Sequence, residues 1–523
     1  MSAERLLLLA PMGIEAALVR SGAPDATVAV TGIGPRRASQ AARRATGHHA
    51  AGVAVTGFGG ALASGLKPGD VVVASELLAR DGTVLCRCPG AAVIAGMLRR
   101  SGLNAHVGPV VSVHGPAFGR IRDALAETGA LLVDMESASL ARAAAGRPLA
   151  VVRVVLDTGR AQLRHPVATA SEALRAARAL RDAARVLSQW AREIAPREVV
   201  LAAPRASCAG VERAIEVVER ALDRYGAPVY MRKQIVHNRH VVDELERRGA
   251  VCVDQLEQVP DGATVVFSAH GVSPEVRAEA QRRQLNVVDA TCPLVNKVHA
   301  EARRFGADEY TIFLIGHEGH EEVEGTSGEM PNQIRVIDPE GDLDGLDVTD
   351  SGRVAYLTQT TLAVDETRGV IERLRTRFPE IVGPRSDDIC YATQNRQDAV
   401  RALAANCDLV LVVGSRNSSN SNRLVEVARR GGCPARLLDD ESQLDPAWLH
   451  GVRRIGITAG ASSPERMVQR MVGALTVLGP LARAEHSVAD ETIRFALPRE
   501  VRESSPVRSL AGETSTQSAQ GMV

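Results

Sequence analysis

Short runs of aliphatic residues, each closed by a turn and followed by an amphipathic helical stretch, recur along most of this 523-residue chain. A parallel strand pair needs a crossover long enough for a helix, so this alternation predicts α/β domains built on parallel sheets. In the first part it predicts strands over 6–9, 28–30, 53–55, 71–74 and 151–155, then a long Ala/Arg-rich helix over about 171–194. Pro196 stops that helix and a new strand, VVLAAP, begins at Val199, which puts a domain boundary near 195–197. Later units include VVLAAPRASCAGVERAIEVVERAL, NVVDATCPLVNKVHAEARRF and LVLVVGSRNSSNSNRLVEVARR, alike in layout rather than in sequence. The expected division is 1–195, 196–498 and a Ser/Thr/Gln/Gly-rich disordered tail over 499–523.

Acidic and basic residues balance at 62 each, and aromatic residues make up only 3%, so neither a nucleic-acid partner nor a base-stacking platform is indicated. The opening MSAERLLLLAPMGIEAAL lacks the basic region and cleavage site of a signal peptide. No segment reaches the ~20 apolar residues of a membrane span. Eight scattered cysteines do not make a secreted disulfide scaffold. A cytoplasmic location without an integral membrane segment is expected.

Three cysteines stand out by position. Cys208 (PRASCAGV), Cys292 (DATCPLV) and Cys390 (DDICYAT) each precede a helix, the first two directly after a strand. Ligand sites in such sheets form at the carboxyl ends of strands, where helix starts favour thiolates. Three thiolates are one short of saturating a four-iron cluster, which would leave an iron open to a substrate oxygen. With no CxxC pair, spacing alone leaves open both a metal centre and ordinary buried cysteines.

Histidines lie at other strand ends: His237 in IVHNRHVV, His270 in VVFSAHGVSP, His317 and His320 in FLIGHEGHEEVEGT. Three imidazoles at strand ends suit anion binding, and Glu322, just beyond His320, is placed to donate a proton. GSRNSSNSNR, ITAGASSPE and TQTT offer hydroxyls, amides and backbone N–H groups to phosphate oxygens, or serve as ordinary helix caps. There is no GxxxxGK[ST] loop, so nucleoside triphosphate hydrolysis is not indicated.

In this order, PRASCAGV, VHNRHVV, SAHGVS, DATCPLV, GHEGHEEVEGT, TQTTL, DDICYAT, NSSNSNR and TAGASSPE resemble the 4-hydroxy-3-methylbut-2-enyl diphosphate reductase family, over roughly 199–481. The resemblance implies three α/β modules around a 4Fe–4S cluster, in the last step of the methylerythritol phosphate route to isoprenoids. It implies Cys208, Cys292 and Cys390 as cluster ligands. His237, His270, His320, Ser418, Ser419, Asn420 and Ser462 would hold the diphosphate, and Glu322, aided by Thr360, would supply the proton that lets the hydroxyl leave. No nicotinamide or flavin fingerprint is evident, so ferredoxin or flavodoxin is the expected electron donor. Two departures stand out: Glu321 where the family usually has Pro, and Ala206–Ser207 in place of a glycine-rich stretch. An iron–sulfur sensor that binds the diphosphate without turnover is the alternative.

The first part carries Gly-rich turns after strands (VAVTGIGPRRAS, VAVTGFGGALASG), with LLVDMESASLARAA and VVRVVLDTG. Together these resemble the nucleoside phosphorylase and nucleosidase superfamily, with an α/β/α fold. The resemblance implies that Met135–Glu136 holds the ribose and Asp157 protonates the purine N7, with Glu15 a looser match to an acidic residue of the hydrolases. A purine nucleoside, with phosphate if the domain is a phosphorylase, is the implied ligand. The same motifs resemble the hopanoid-associated phosphorylase, which would make the substrate adenosylhopane; methylthioadenosine, S-adenosylhomocysteine and futalosine compete. A degenerate nucleoside-binding regulatory module is the non-enzymatic alternative.

Overall fold

The computed structural model describes residues 6–158, 166–343 and 345–502. The chain forms two compact units, one of Met1–Cys208, Thr358–Pro379 and Arg385–Thr492, the other of Ala209–Leu357, Glu380–Pro384 and Ile493–Val523.

The first unit holds two sheets. All five strands expected in the first part form, as Leu6–Ala10, Thr27–Val30, Gly52–Ala61, Val71–Leu78 and Leu149–Asp157. They belong to an eight-stranded sheet completed by Val84–Arg87, Ala105–Ser112 and Leu132–Asp134. Here the expectation of parallel pairing needs correcting, because the sheet is mixed. Leu149–Asp157 runs parallel to Gly52–Ala61 but antiparallel to Val71–Leu78, and Val84–Arg87 folds back antiparallel on the latter. The long helix spans Pro166–Arg192, beginning earlier than the apolar pattern indicated; proline suits a first helical position.

The second sheet of this unit is wholly parallel, in the order Ala435–Leu438, Leu409–Val413, Arg454–Ala459, Arg197–Ala203, Leu481–Ser487. Its central strands are aliphatic on both faces, as parallel strands covered on both sides must be. One hydrophobic cluster joins the two sheets' helices: Ile94, Leu98, Leu187 and Trp190 pack in the same core as Ile455, Met467, Met471 and Leu475. Trp190 is fully buried and its indole N–H donates to the Val477 carbonyl at 2.9 Å. The approach is close enough that a Cβ on Gly96 would lie 2.2 Å from the Ser442 carbonyl oxygen.

The second unit contains a four-stranded parallel sheet, ordered Ala250–Val253, Val229–Arg232, Thr264–Phe267, Asn286–Asp289, and a three-stranded sheet ordered Ile334–Ile337, Thr311–Ile315, Val354–Thr358. A tail was expected from residue 499, but Arg499–Arg502 is a short helix, with Val501 buried in this unit's core. Residues 503–523 lie outside the described residues. Among the described residues no helix is long and apolar enough to cross a membrane.

Replacing Trp190 with Ala removes a buried ring and leaves the Val477 carbonyl unpaired, at an expected cost of about 3–5 kcal/mol. Urea unfolding followed by circular dichroism checks this. Because the core is shared, limited proteolysis of W190A should release fragments from both sides of residue 197 together, rather than digest one side and spare the other.

Candidate functional site

In the second unit, the loops at the carboxyl ends of three strands converge. His237 follows Val229–Arg232, His270 follows Thr264–Phe267, and His320 lies beyond Thr311–Ile315, where it caps the helix Glu321–Ser327. Their rings form one cluster: His237 stacks on His270 with centroids 4.1 Å apart, and His320 meets them edge-on at 5.4 and 5.8 Å. His317 is not part of it; its Nδ1 lies 3.3 Å from Asp338 at the surface. Backbone bonds tie the loops together, Ala269 N–H to the Ile235 carbonyl and Cys292 N–H to the Ala269 carbonyl. Cys292 is thereby fixed at the start of the helix Pro293–Ala307.

Burial sets the electrostatics of this cluster. It pushes the His237 imidazole down to about 3 and that of His320 to about 4, with the neighbouring imidazoles and Lys233 adding to the effect against a smaller opposing pull from Glu321. Both rings are therefore neutral at pH 7. The Glu322 N–H donates to His320 Nδ1 at 3.2 Å, which leaves Nε2 as the protonated nitrogen. Glu322 itself is buried at 3% exposure. Sequence reading noted Glu321 only as a departure, yet its carboxylate lies 3.1 Å from His270 Nδ1. Burial would raise the Glu321 carboxyl, but the bond from His270 and the fields of His270, His237 and Lys233 hold it below the usual range.

The first unit assembles the hydroxyl and amide residues. Ser462 Oγ donates to Ser418 Oγ at 3.3 Å, Ser421 Oγ does so at 3.0 Å, and Thr361 Oγ1 donates to Ser419 Oγ at 3.1 Å. Asn420 Oδ1 accepts from the Ala461 N–H at 2.9 Å. Cβ atoms on Gly414 or Gly460 would fall 2.2 and 2.0 Å from Ser421 Oγ, so both glycines are required for this packing. The thiols are anchored to the same turns: Cys208 N–H bonds the Ala461 carbonyl, and Cys390 N–H bonds the carbonyl of buried Thr360. Cys390 Sγ also accepts from the Thr393 N–H at the start of Tyr391–Ala404. Burial first, and then the fields of Cys208, Glu491 and Cys390, push the Tyr391 phenol up, so both thiols lie close to it.

Two residues that sequence reading missed hold this region. Fully buried Arg396 donates to the Ala206 carbonyl at 2.7 and 3.0 Å and pairs with Glu491 at 3.0 Å. Ala206 itself adopts φ +60°, the left-handed conformation that favours glycine. The glycine-rich stretch expected there is thus replaced by an alanine clamped through its carbonyl. Asp388, also buried, accepts the Thr358 N–H at 3.0 Å and fixes the approach to Thr360. Cys208 and Cys390 in the first unit and Cys292 in the second are free thiols, each partly exposed at a helix start, a setting that suits a thiolate.

In the N-terminal part, Met12, Glu15, Phe58, Arg122, Met135, Glu136 and Asp157 line a cavity of about 220 Å³. Glu15 is buried and accepts from the Met12 and Phe58 N–H groups at 2.8 and 2.7 Å. Glu136 accepts from the Gly34 N–H at 2.9 Å. Burial raises both carboxyls, against the pull of Arg153. Arg153, another residue not foreseen, is fully buried; it pairs with Asp134 at 2.7 Å and donates to Ser137 Oγ at 3.0 Å. Asp157 is gripped by Arg122, which also donates to the Ala61 carbonyl.

The LytB protein family profile matches residues 199–476, and that of the phosphorylase superfamily matches residues 10–192. Over 307 residues the chain is 58% identical to 4-hydroxy-3-methylbut-2-enyl diphosphate reductase of Nocardia farcinica, covering 58% of this chain and 91% of that one. Identity to 4-hydroxy-3-methylbut-2-enyl diphosphate reductase 2 of Mycobacterium tuberculosis (H37Rv) is 57%, over 58% of this chain and 92% of the relative. The solved E-1-hydroxy-2-methyl-but-2-enyl-4-diphosphate reductase of Plasmodium falciparum superposes with a TM-score of 0.56 at 38% identity, over 59% of this chain and 97% of that one.

The depressed histidines give a pH prediction. The unfolded chain takes up protons at these rings near the ordinary value of about 6.5, whereas the folded chain does so only near 4 and 3. Stability without ligand should therefore be flat above about pH 6.5 and fall as the pH drops towards 4, each ring contributing at most about 1.4 kcal/mol per pH unit. Urea titrations of wild type, H237Q and H320Q check this; both variants should show a shallower slope.

Proposed function

The chain belongs to the LytB family, the 4-hydroxy-3-methylbut-2-enyl diphosphate reductases, and from that premise we propose that its residues from about 196 to 498 reduce this diphosphate to isopentenyl and dimethylallyl diphosphate. In the reaction two electrons and two protons enter, the allylic C–O bond breaks with loss of water, and a C–H bond forms. The observation that carries this reading is the three-imidazole cluster beside buried Glu322, in a chain so similar to named reductases.

Cys208, Cys292 and Cys390 are the proposed thiolate ligands of a 4Fe–4S cluster. Such a cluster, when bound, delivers electrons singly and offers a Lewis-acidic iron. The chain's own groups do the rest. His237, His270 and His320 donate from ring nitrogens to the diphosphate, and His237 and His320, neutral without it, become charge-assisted donors if they take up protons as the anion arrives. Ser418, Ser419, Asn420 and Ser462 add neutral donors, already arranged by their mutual bonds. Glu322, with Thr360, holds the proton for the departing hydroxyl, and its burial excludes competing water. A ferredoxin or flavodoxin is the proposed electron source.

For the phosphorylase-superfamily part we propose cleavage of a purine nucleoside at its N-glycosidic bond, with Glu136 and Met135 on the ribose and Asp157 protonating N7. Buried Glu15, whose carboxyl is raised by burial, is the proposed base for water, which would then replace phosphate as the nucleophile. Adenosylhopane is one candidate substrate. The Arg122–Asp157 pair supports a second reading, a module that binds nucleoside without cleaving it, because Asp157 must leave Arg122 to reach a base.

After anaerobic reconstitution with iron and sulfide, reduced-dye oxidation with the diphosphate tests the reductase. E322Q should keep the cluster's absorbance and lose about 100-fold or more in turnover, as removal of a general acid does. A protein that binds no cluster, or whose turnover ignores E322Q, would overturn the assignment. For the N-terminal site, adenine release from methylthioadenosine and S-adenosylhomocysteine should proceed without phosphate and vanish in D157N. Nucleoside binding with no purine released would establish the binding module instead.

A further inference from the structure

We propose that His237, His270 and Glu321 form a binding site for a divalent transition-metal ion of the Zn²⁺ class. One ligand atom from each lies within 4.8 Å of the others. The His270 Nδ1 to Glu321 Oε2 distance is 3.1 Å, close to the edge of about 3.4 Å that a tetrahedron of ~2.0–2.1 Å metal–ligand bonds would have. Two imidazoles and one carboxylate are a recurrent zinc set, and they leave a coordination position open.

The three ligands come from separate segments of one unit, yet each is held. Asn238, fully buried, caps the helix Arg239–Arg247 by accepting the Val241 N–H at 3.2 Å, which fixes His237 next to it. The His270 and Glu321 side chains are only 15% and 16% exposed, so few rotamers remain to be lost on binding. His320 is excluded from the set because its Nδ1 already accepts the Glu322 N–H. Lys233 is the cation that opposes a metal here; its Nζ bonds Glu324 Oε2 at 2.7 Å, which offsets that charge. Glu321 supplies the carboxylate of the set.

The imidazoles are those proposed to hold the diphosphate, so the cation should act as a reversible inhibitor that competes with it. This consequence rests on the reductase reading; the metal site itself does not. The test uses cluster-loaded protein, whose cluster thiolates are occupied, dialysed anaerobically against Zn²⁺ alone. One zinc per chain is expected, with a nitrogen/oxygen shell and imidazole scattering at the zinc K-edge. Loss of an outer-sphere partner alone costs about 10–100-fold in metal affinity, so E321Q and E321P, each losing a direct ligand, should weaken binding by about 100-fold or more. Sulfur at about 2.3 Å, or affinity unchanged in both variants, would overturn the site. In turnover, Zn²⁺ should raise KM for the diphosphate and leave kcat alone; a fall in kcat at constant KM would overturn the competition. Zinc occupancy needs no turnover, so the metal site and the reductase assignment fail separately.

Discussion

The hydrophobic cluster that runs from Ile94 and Leu98 through Trp190 to Met467, Met471 and Leu475 is the constraint on which the first unit depends. Two sheets of different topology share it, so neither can bury its helices fully without the other. At roughly 25 cal/mol per Å² of apolar surface, side chains sealed to near-zero exposure make such an interface part of the fold rather than a tether. The strand Arg197–Ala203 starts where this core ends. Its first residue, Arg197, donates to the Leu478 and Leu449 carbonyls and locks the junction. From there the loop to Cys208 is fixed by Arg396 on the Ala206 carbonyl. The position of a thiol thus traces back to packing that begins around Trp190.

Around both groups of residues, burial disfavours the charged form of the titratable side chains. Burial holds the His237 and His320 imidazoles well below their ordinary value, so neither ring carries a charge at pH 7. Glu15 and Glu136 are raised by the same means in the N-terminal cavity, where Arg153 limits the rise. A buried arginine amid Glu15, Asp134 and Glu136 is costly to desolvate and is tolerated because several acceptors share its charge. Gly57, at φ +146°, makes this arrangement fit: a Cβ there would lie 2.7 Å from both the Arg153 guanidinium and the Glu15 carboxylate.

Much of this was legible in the sequence where the signal is local. Strand–turn–helix units announce themselves through apolar runs and the residues that end them, and the cysteines, histidines and serines sit at those ends. The shared core, Arg396, Arg153 and Arg122 were not legible, because their partners are distant in the chain: Arg396 and Ala206 are 190 residues apart. Short strands such as Val84–Arg87, mostly exposed at a sheet edge, carry no apolar run to detect. The helix Arg499–Arg502 was hidden for a similar reason, since a single buried Val501 anchors it.

Glu322 and Asp157 illustrate how similar carboxyls are placed by different means. Glu322 is buried beside His320 and adjoins the imidazole cluster through its own backbone N–H, so its place is fixed by the same short segment that positions the ring. Asp157 ends the strand Leu149–Asp157, keeps about a third of its side chain exposed, and is held by Arg122 from the helix Gly119–Ala126. Placement of Glu322 is therefore a local property of a seven-residue helix and its cap. Placement of Asp157 depends on a side chain from another helix, and Arg122 is itself anchored on the Ala61 carbonyl. Were Asp157 drawn away from it, Arg122 would need another acceptor or would leave a cation in the cavity wall.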